Sequence, residues 1–184
     1  ACGLNIIVGH AGQISLGHAA FVGIGAYSNA MLTTAGGLTF WQALPVSLLI
    51  VGIVGLLCGL PSLRVKEDFL AITTIGINFI VVAVFQYTPA LGGALGIGGI
   101  PNVEFFGMTI KARPFFLLCF CCLALVLAIS RLFTKSWLGL SCFAIREDET
   151  AASSMGVSPV RAKLSAFVLG TLMVGLSGIL YAHY

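Results

Sequence analysis

The sequence predicts an all-α integral membrane protein, and two observations carry this prediction. Only 8% of the 184 residues are charged and the mean hydropathy is +1.08, whereas soluble domains contain about 25% charged residues. The first 63 residues contain no Lys, Arg, Asp or Glu. Because a charge at the bilayer centre costs about 2.5–3.5 kcal/mol, an uncharged run of this length indicates membrane-spanning helices.

Five apolar runs long enough to cross a bilayer follow one another along the chain. At about 20 residues per transmembrane helix, they predict about five crossings in a single transmembrane domain over residues 1–184, with no separate soluble domain. The chain begins at Ala1 and ends in sequence typical of a helix, so we expect it to be a fragment of a longer protein. The five runs are Gly3–Thr34, Trp41–Leu63, Phe69–Tyr87, Pro114–Leu132 and Leu164–Tyr184.

The basic residues predict how the chain is oriented in the membrane. If each run crosses once, the connections at residues 64–68 and 131–163 lie on the same side and carry seven of the nine Lys and Arg residues. Only Lys111 and Arg113 lie on the other side. The positive-inside rule therefore predicts that both charged connections are cytoplasmic.

The first run is too long for one plain helix, and we expect it to break near its polar residues. Glycine weakens a helix by about 1 kcal/mol relative to alanine, and unwound backbone at membrane depth is stable only when it is buried in protein or lines a water-filled cavity. We expect Ser15 to be the N-cap of a half-helix that begins at Leu16. The polar residues then line a substrate path, or else this region serves helix packing alone. The glycines and polar residues concerned are Gly9, Gly12, Gly17, His10, Gln13, Ser15 and His18.

The glycine-rich segment Gly92–Gly99 does not fit a nucleotide-binding loop. A P-loop follows a strand, opens a helix and needs Gly-Lys-Ser/Thr, whereas this segment lies between two apolar runs and lacks Lys. We expect an external loop, followed by a hairpin in Val103–Ile110 around Gly107. The sequence also lacks an H-E-x-x-H motif and the Cys and His spacing of a zinc site. It therefore predicts no metal, no cofactor and no enzymatic activity.

A short helix is predicted in the charged segment before the last apolar run. It spans Arg146–Gly156, with acidic residues in its first turn and Gly156 at its end. Ser158 and Pro159 then begin the final transmembrane helix as its N-cap and first helical residue. A small apolar face flanked by charges suits docking into a groove of another protein, and an ordinary solvated connection is the alternative. The residues on the predicted docking face are Ala151, Ala152 and Met155.

Four segments, in order along the chain, resemble permeases of branched-chain amino-acid ABC importers. The longest and most specific is Asn5–Tyr27, with the sequence NIIVGHAGQISLGHAAFVGIGAY. Leu63–Thr73, Gly92–Pro101 and Ala144–Gly156 follow it, so the resemblance covers nearly the whole chain. The last segment resembles the loop through which ABC permeases contact their ATPase, in which Glu-Ala-Ala is followed by three residues and Gly.

The resemblance implies a permease subunit in the bacterial inner membrane. Its implied partners are a second permease subunit, two cytoplasmic ATPases, an extracytoplasmic substrate-binding protein and the lipid bilayer, with no nucleic acid. In the ATPase-contact pattern, Thr150 replaces the Glu and the acidic residue stands one position earlier, at Glu149. The residues expected to couple to the ATPase are Arg146, Glu147, Asp148, Glu149, Ala151, Ala152, Met155 and Gly156. Those expected to line the substrate path are Gly12, Gln13, Ser15 and His18.

The sequence does not define the substrate, and a second transport mechanism also fits it. Members of the same broad family carry urea or other amino acids and amides, so the substrate is weakly defined. A passive channel would use the same broken helix without an ATPase-docking helix, and flux in the absence of ATP would identify it.

Overall fold

The computed structural model describes residues 1–62, 67–101, 103–105, 108–109 and 112–184. Helices dominate these residues, and a π-helical segment, Asn5–His10, directly continues the first one. Residues 64–66 of the first charged connection lie outside the described residues, as do Gly107 and Lys111. The α-helices are α1 (Cys2–Leu4), α2 (His18–Thr34), α3 (Phe40–Ser62), α4 (Glu67–Tyr87), α5 (Ala112–Lys135), α6 (Trp137–Glu147), α7 (Glu149–Ser154) and α8 (Pro159–Ala182).

The helices confirm an all-α membrane protein, although the number of full-length spans among the described residues is about three rather than five. Phe40–Pro61, Pro114–Lys135 and Pro159–Ala182 are long and apolar enough to cross a bilayer. The break in the first run leaves α2 with 17 residues. The apolar part of α4 that the structure describes, Ala71–Tyr87, is likewise shorter than the three full-length spans. α8 begins at Pro159 as predicted, and the fixed φ of proline favours this position.

Two short strands follow the glycine-rich segment. β1 (Glu104–Phe105) pairs with β2 (Met108–Thr109) in antiparallel register, with Glu104 opposite Thr109 and Phe105 opposite Met108. The predicted hairpin therefore forms within Val103–Ile110, although its turn at Gly107 lies outside the described residues.

α8 is the central helix, and with α2 and α3 it forms what we call the frame. Just over half of the apolar window of α8 (56%) is buried, against 6% of that of α5. α2 and α8 approach closely because glycines line their contact: a Cβ added at Gly25 would overlap the Gly175 carbonyl oxygen, and one added at Gly178 would overlap the Val22 carbonyl oxygen. Small residues allow this backbone contact in membrane helices, where dispersion forces replace the hydrophobic effect.

A buried hydrogen-bond network closes one end of the frame. The Asn29 side chain of α2 donates from Nδ2 to Ser47 Oγ of α3 at 3.1 Å. The imidazole of His183, just after α8, lies between Asn29 Oδ1 at 2.6 Å and the Pro101 carbonyl oxygen at 3.0 Å. Asn29 and Ser47 are fully buried. This network therefore connects α2, α3 and the end of α8 to Pro101, just after the glycine-rich segment.

Candidate functional site

The helical path of the first run ends at His10 and resumes at His18, which confirms the predicted break. We call the intervening residues 11–17 the broken segment; the structure gives them no regular helix. Gly12 has φ +69°, in the left-handed region that strongly favours glycine. At Gly17 there is no room for a side chain, because a Cβ there would overlap the carbonyl oxygen of Thr74 in α4.

The predicted N-cap of the half-helix was wrong. Gly17, rather than Ser15, is the N-cap of α2, and its carbonyl oxygen accepts a hydrogen bond from the Ala20 N–H at 3.1 Å. Ser15 Oγ lies 3.1 Å from His18 Nδ1 instead. The Leu16 N–H donates to Thr74 Oγ1 of α4 at 3.0 Å, so a different helix satisfies this backbone group.

Two polar atoms near the break are buried and have no hydrogen-bond partner among the residues that the structure describes. They are Gln13 Oε1 and His18 Nε2, and the Gln13 side chain is only 2% exposed. A buried polar atom left unpaired costs about 1–3 kcal/mol, so such atoms are uncommon unless they have a role. His18 also lines an open cavity of about 440 Å³ between residues of α1, α2, α5 and α8. The break therefore holds two buried polar atoms with no partner among the described residues, and one of them belongs to a residue that lines the cavity.

The predicted short helix forms, but it is shorter than expected. Arg146 and Glu147 belong to the last turn of α6, and Asp148 is the N-cap of α7. Asp148 Oδ1 accepts hydrogen bonds from the Thr150 N–H at 2.8 Å and the Ala151 N–H at 3.0 Å. α7 therefore begins with a carboxylate that satisfies two backbone donors.

Gly156 ends α7 as predicted. It has φ +84°, its N–H donates to the Ser153 carbonyl oxygen at 3.0 Å, and the Val157 N–H donates to the Ala152 carbonyl oxygen at 3.1 Å. This pair of bonds is a Schellman motif, in which a left-handed glycine satisfies the last carbonyl groups of a helix.

The three apolar residues of α7 do not form a single exposed face. Ala152 is 6% exposed and packs inside the chain against a cluster that includes Ala162 of α8. Ala151 is exposed, and Met155 is 85% exposed. A salt bridge of 2.7 Å from Lys163 Nζ to Glu149 Oε2 also fastens α7 to α8. α7 is thus seated on α8, with the side chains of Ala151 and Met155 exposed.

The structure brings the two predicted sites together. The Arg146 guanidinium donates a hydrogen bond from one Nη to the Gly9 carbonyl oxygen at the end of the π-helical segment. His10 is held beside it, with Nε2 3.1 Å from Thr134 Oγ1 and its ring 4.9 Å from the ring of Phe143. The end of α6 therefore contacts the residues that lead into the broken segment.

Comparison of the sequence with known protein families identifies the family of this chain. The family model described as "Branched-chain amino acid transport system / permease component" matches residues 1–184. The chain belongs to this permease family. Two similar relatives are the high-affinity branched-chain amino acid transport system permease proteins LivM of Salmonella typhimurium strain LT2, 37% identical over 205 residues, and of Escherichia coli strain K12, 36% identical over 206 residues.

Each of these two alignments covers 98% of the chain but 48% of the relative, so the chain spans about half the length of the curated permeases it matches. A third relative is the probable branched-chain amino acid transport permease protein LivM of Methanocaldococcus jannaschii, 26% identical over 134 residues, which are 72% of the chain and 39% of that protein. No solved structure matches the chain.

Several contacts of this permease chain were not predicted from its sequence. They include Thr74, which holds the backbone of the broken segment, and Thr134 and Phe143, which hold His10. Thr74 follows Thr73 in an apolar run, and hydroxyl groups at such positions are a signal of hydrogen bonds to another helix. Among the residues that the structure describes, no group of three or more His, Cys, Asp or Glu side chains is arranged to hold a metal ion.

Proposed function

We propose that the chain is part of a transmembrane permease subunit of an ATP-driven importer for branched-chain amino acids. The similarity to the permease proteins named LivM, at 36–37% identity over 98% of the chain, carries this proposal. The proposed partners are cytoplasmic ATPases, a second permease subunit and an extracytoplasmic substrate-binding protein. In this assignment the protein lies in the inner membrane and performs no catalysis itself.

The proposed orientation places residues 64–68 and 131–163 in the cytoplasm. Five of the nine basic residues lie in the second of these connections, which favours the cytoplasmic side by the positive-inside rule. α6, α7 and the start of α8 are then the cytoplasmic surface of this chain. ATPases that bind there would meet the exposed side chains of Ala151 and Met155 first.

The proposed substrate path follows the broken segment, at Gly12, Gln13, Ser15 and His18. The unpaired Gln13 Oε1 and His18 Nε2 support this proposal, because a passing amino acid has an ammonium group that donates hydrogen bonds. Neither Gln13 nor Ser15 introduces a charge, so both are able to contact a zwitterion without the cost of a buried ion. Packing alone would not require a buried acceptor without a donor.

The proposed coupling element is α7 with Gly156, which passes ATPase movement to the membrane helices. To move a two-state equilibrium from 1:99 to 99:1 takes about 5.5 kcal/mol of differential interaction, which the partner's binding of ATP would have to supply. α7 is short and seated on α8 through Ala152 and the Glu149–Lys163 salt bridge. A push on α7 would therefore reach α8 directly.

Uptake by the reconstituted system tests the function. The full-length permease is assembled in proteoliposomes with its ATPases and binding protein, and uptake of radiolabelled leucine and of urea is measured with and without ATP. We expect leucine uptake that requires ATP. ATP-dependent uptake of urea alone would correct the substrate, and uptake without ATP would replace the importer with a passive channel.

A glycine substitution tests the coupling element. Gly156→Val should raise ATP hydrolysis per leucine transported, because valine is strained at φ +84° and deforms the end of α7. Gly99→Val is the matched control, since Gly99 also has positive φ (+74°) and, like Gly156, has open space where a Cβ would be. Unchanged coupling in the Gly156 variant would refute the role of α7.

A further inference from the structure

We propose that Arg146 is a positioning residue that links the coupling helix α7 to the broken segment. The proposal rests on the importer function proposed above. It also changes the role expected of Arg146, from a contact with the ATPase to a contact within the permease. Three features of the structure support it: a hydrogen bond, a packing contact and the place of Arg146 in the chain.

The hydrogen bond satisfies a backbone group that the helix leaves unpaired. The last carbonyl groups of a helix have no partners within it and need another donor or water. At the end of the π-helical segment, the Ile6 and Ile7 carbonyl oxygens accept from the Ala11 and Gln13 N–H groups. The Gly9 carbonyl oxygen accepts from the Arg146 guanidinium. A cation at this position also complements the negative end of the helix dipole.

The packing contact places the Arg146 stem directly on the break. A Cβ added at Gly12 would lie 3.2 Å from Arg146 Cγ and 3.6 Å from Arg146 Cβ. Gly12 thus provides both the left-handed turn and the space that the arginine stem occupies. The same residue therefore holds the chain on both sides of Ala11, by its charge at Gly9 and by its methylene groups at Gly12.

The position of Arg146 connects these contacts to α7. Arg146 lies in the last turn of α6, two residues before Asp148, which is the N-cap of α7. A buried apolar cluster runs in parallel and contains Ala11 of the broken segment, Ile145 of α6 and Ala152 of α7. A displacement of α7 is therefore passed to the broken segment through the adjoining contacts of Arg146 and of this cluster, which also includes Ala162 and Ala166 of α8.

The link predicts that loss of the Arg146 donor separates ATP hydrolysis from transport. Arg146→Met keeps the apolar stem on Gly12 but removes the hydrogen bond to Gly9. Arg146→Lys keeps a cationic donor. Arg131→Met is the matched control, because Arg131 is an exposed arginine of α5, outside the surface of α6, α7 and the start of α8 that is proposed to meet the ATPases.

The test measures leucine uptake and ATP hydrolysis in the full-length permease assembled with its ATPases and binding protein. We expect Arg146→Met to lower leucine uptake per ATP hydrolysed about tenfold, in line with the loss of one hydrogen bond to a charged group. Arg146→Lys should keep at least half of the wild-type uptake per ATP hydrolysed, and Arg131→Met should match the wild type.

The ratio of leucine uptake to ATP hydrolysis distinguishes a positioning role of Arg146 from a purely structural role. If uptake and ATP hydrolysis fall together because less complex assembles, Arg146 is only structural and the proposal is wrong. A wild-type ratio in Arg146→Met would also overturn it. If the wild-type complex shows no ATP-driven uptake, the importer function itself fails, which is a different result from either of these.

Discussion

The frame and the broken segment are held together by different forces. In the frame, backbones touch through Gly25 and Gly178, and the rings of Phe21 and Phe167 pack edge to face with centroids 6.0 Å apart. The broken segment has no regular helix: besides its packing contacts, its Leu16 N–H depends on a hydrogen bond to Thr74 of α4, and its buried Gln13 amide oxygen has no partner among the described residues. Close packing has few alternative arrangements, whereas hydrogen bonds can be exchanged between partners. We infer that the frame is the scaffold and that the broken segment moves against it.

The largest expected effect comes from enlarging a glycine of the frame. Gly178→Ala should destabilise the protein by about 3 kcal/mol, because the new methyl group overlaps the Val22 carbonyl oxygen and two backbones must separate. Gly76→Ala in α4 is the control: the same methyl group meets open space there, so we expect no loss of stability. Unfolding of the purified permease in denaturing detergent measures both. Equal effects would show that the frame is not tightly packed.

The second-largest expected effect is on leucine uptake and comes from a substitution in the broken segment. Gln13→Leu should lower leucine uptake about tenfold, the cost expected for a hydrogen bond to a charged ammonium group. Stability should not fall, because the substitution removes a buried oxygen that has no partner. Gln86→Leu, at an exposed glutamine of α4, should leave uptake unchanged. Reduced stability with normal uptake per assembled complex would show that Gln13 is a packing residue.

A smaller effect is expected where α7 begins. Asp148→Ala should cost about 1 kcal/mol of local helix stability, because two backbone N–H groups lose their acceptor. Asp148→Asn should cost little, since asparagine caps helices about as well as aspartate. Hydrogen exchange at the Thr150 and Ala151 amides measures both changes. If the asparagine variant exchanges as fast as the alanine variant, the carboxylate does more than cap the helix.

The smallest effect concerns the salt bridge between α7 and α8. Glu149→Gln should reduce stability by about 0.5 kcal/mol, because the Glu149 side chain is half exposed and water screens the pair. The difference should disappear in about 1 M salt, where the Debye length is about 3 Å. Glu147→Gln, at an exposed residue of α6, is the control. A loss that persists at high salt would indicate a contact other than the ion pair.

Local features of the fold followed from local sequence. The break followed from glycines within an apolar run, the end of α7 from Gly156, and the start of α8 from Pro159. Each of these depends on backbone conformation within a few residues. The expected N-cap at Ser15 failed because its hydroxyl lies beside His18 and Gly17 takes the capping position.

The contacts that assemble the candidate site depend on tertiary packing. The hydrogen bond from Leu16 to Thr74 joins residues 58 positions apart, and that from Arg146 to Gly9 joins residues 137 positions apart. Helical spacing predicts that Ala152 and Met155 lie on the same face. In the structure, α8 buries Ala152 and leaves Met155 exposed. Neither hydropathy nor periodicity in one chain contains this information.

Hydrogen exchange in the complete transporter tests the central claim most directly. The full-length permease, assembled with its ATPases and binding protein, is compared with and without ATP and leucine, and exchange is followed at the amides of residues 11–17 and 166–179. We predict that exchange at residues 11–17 changes about tenfold or more on adding ATP, while residues 166–179 stay protected. Equal changes in both regions, or a change only in residues 166–179, would contradict a fixed frame with a moving broken segment.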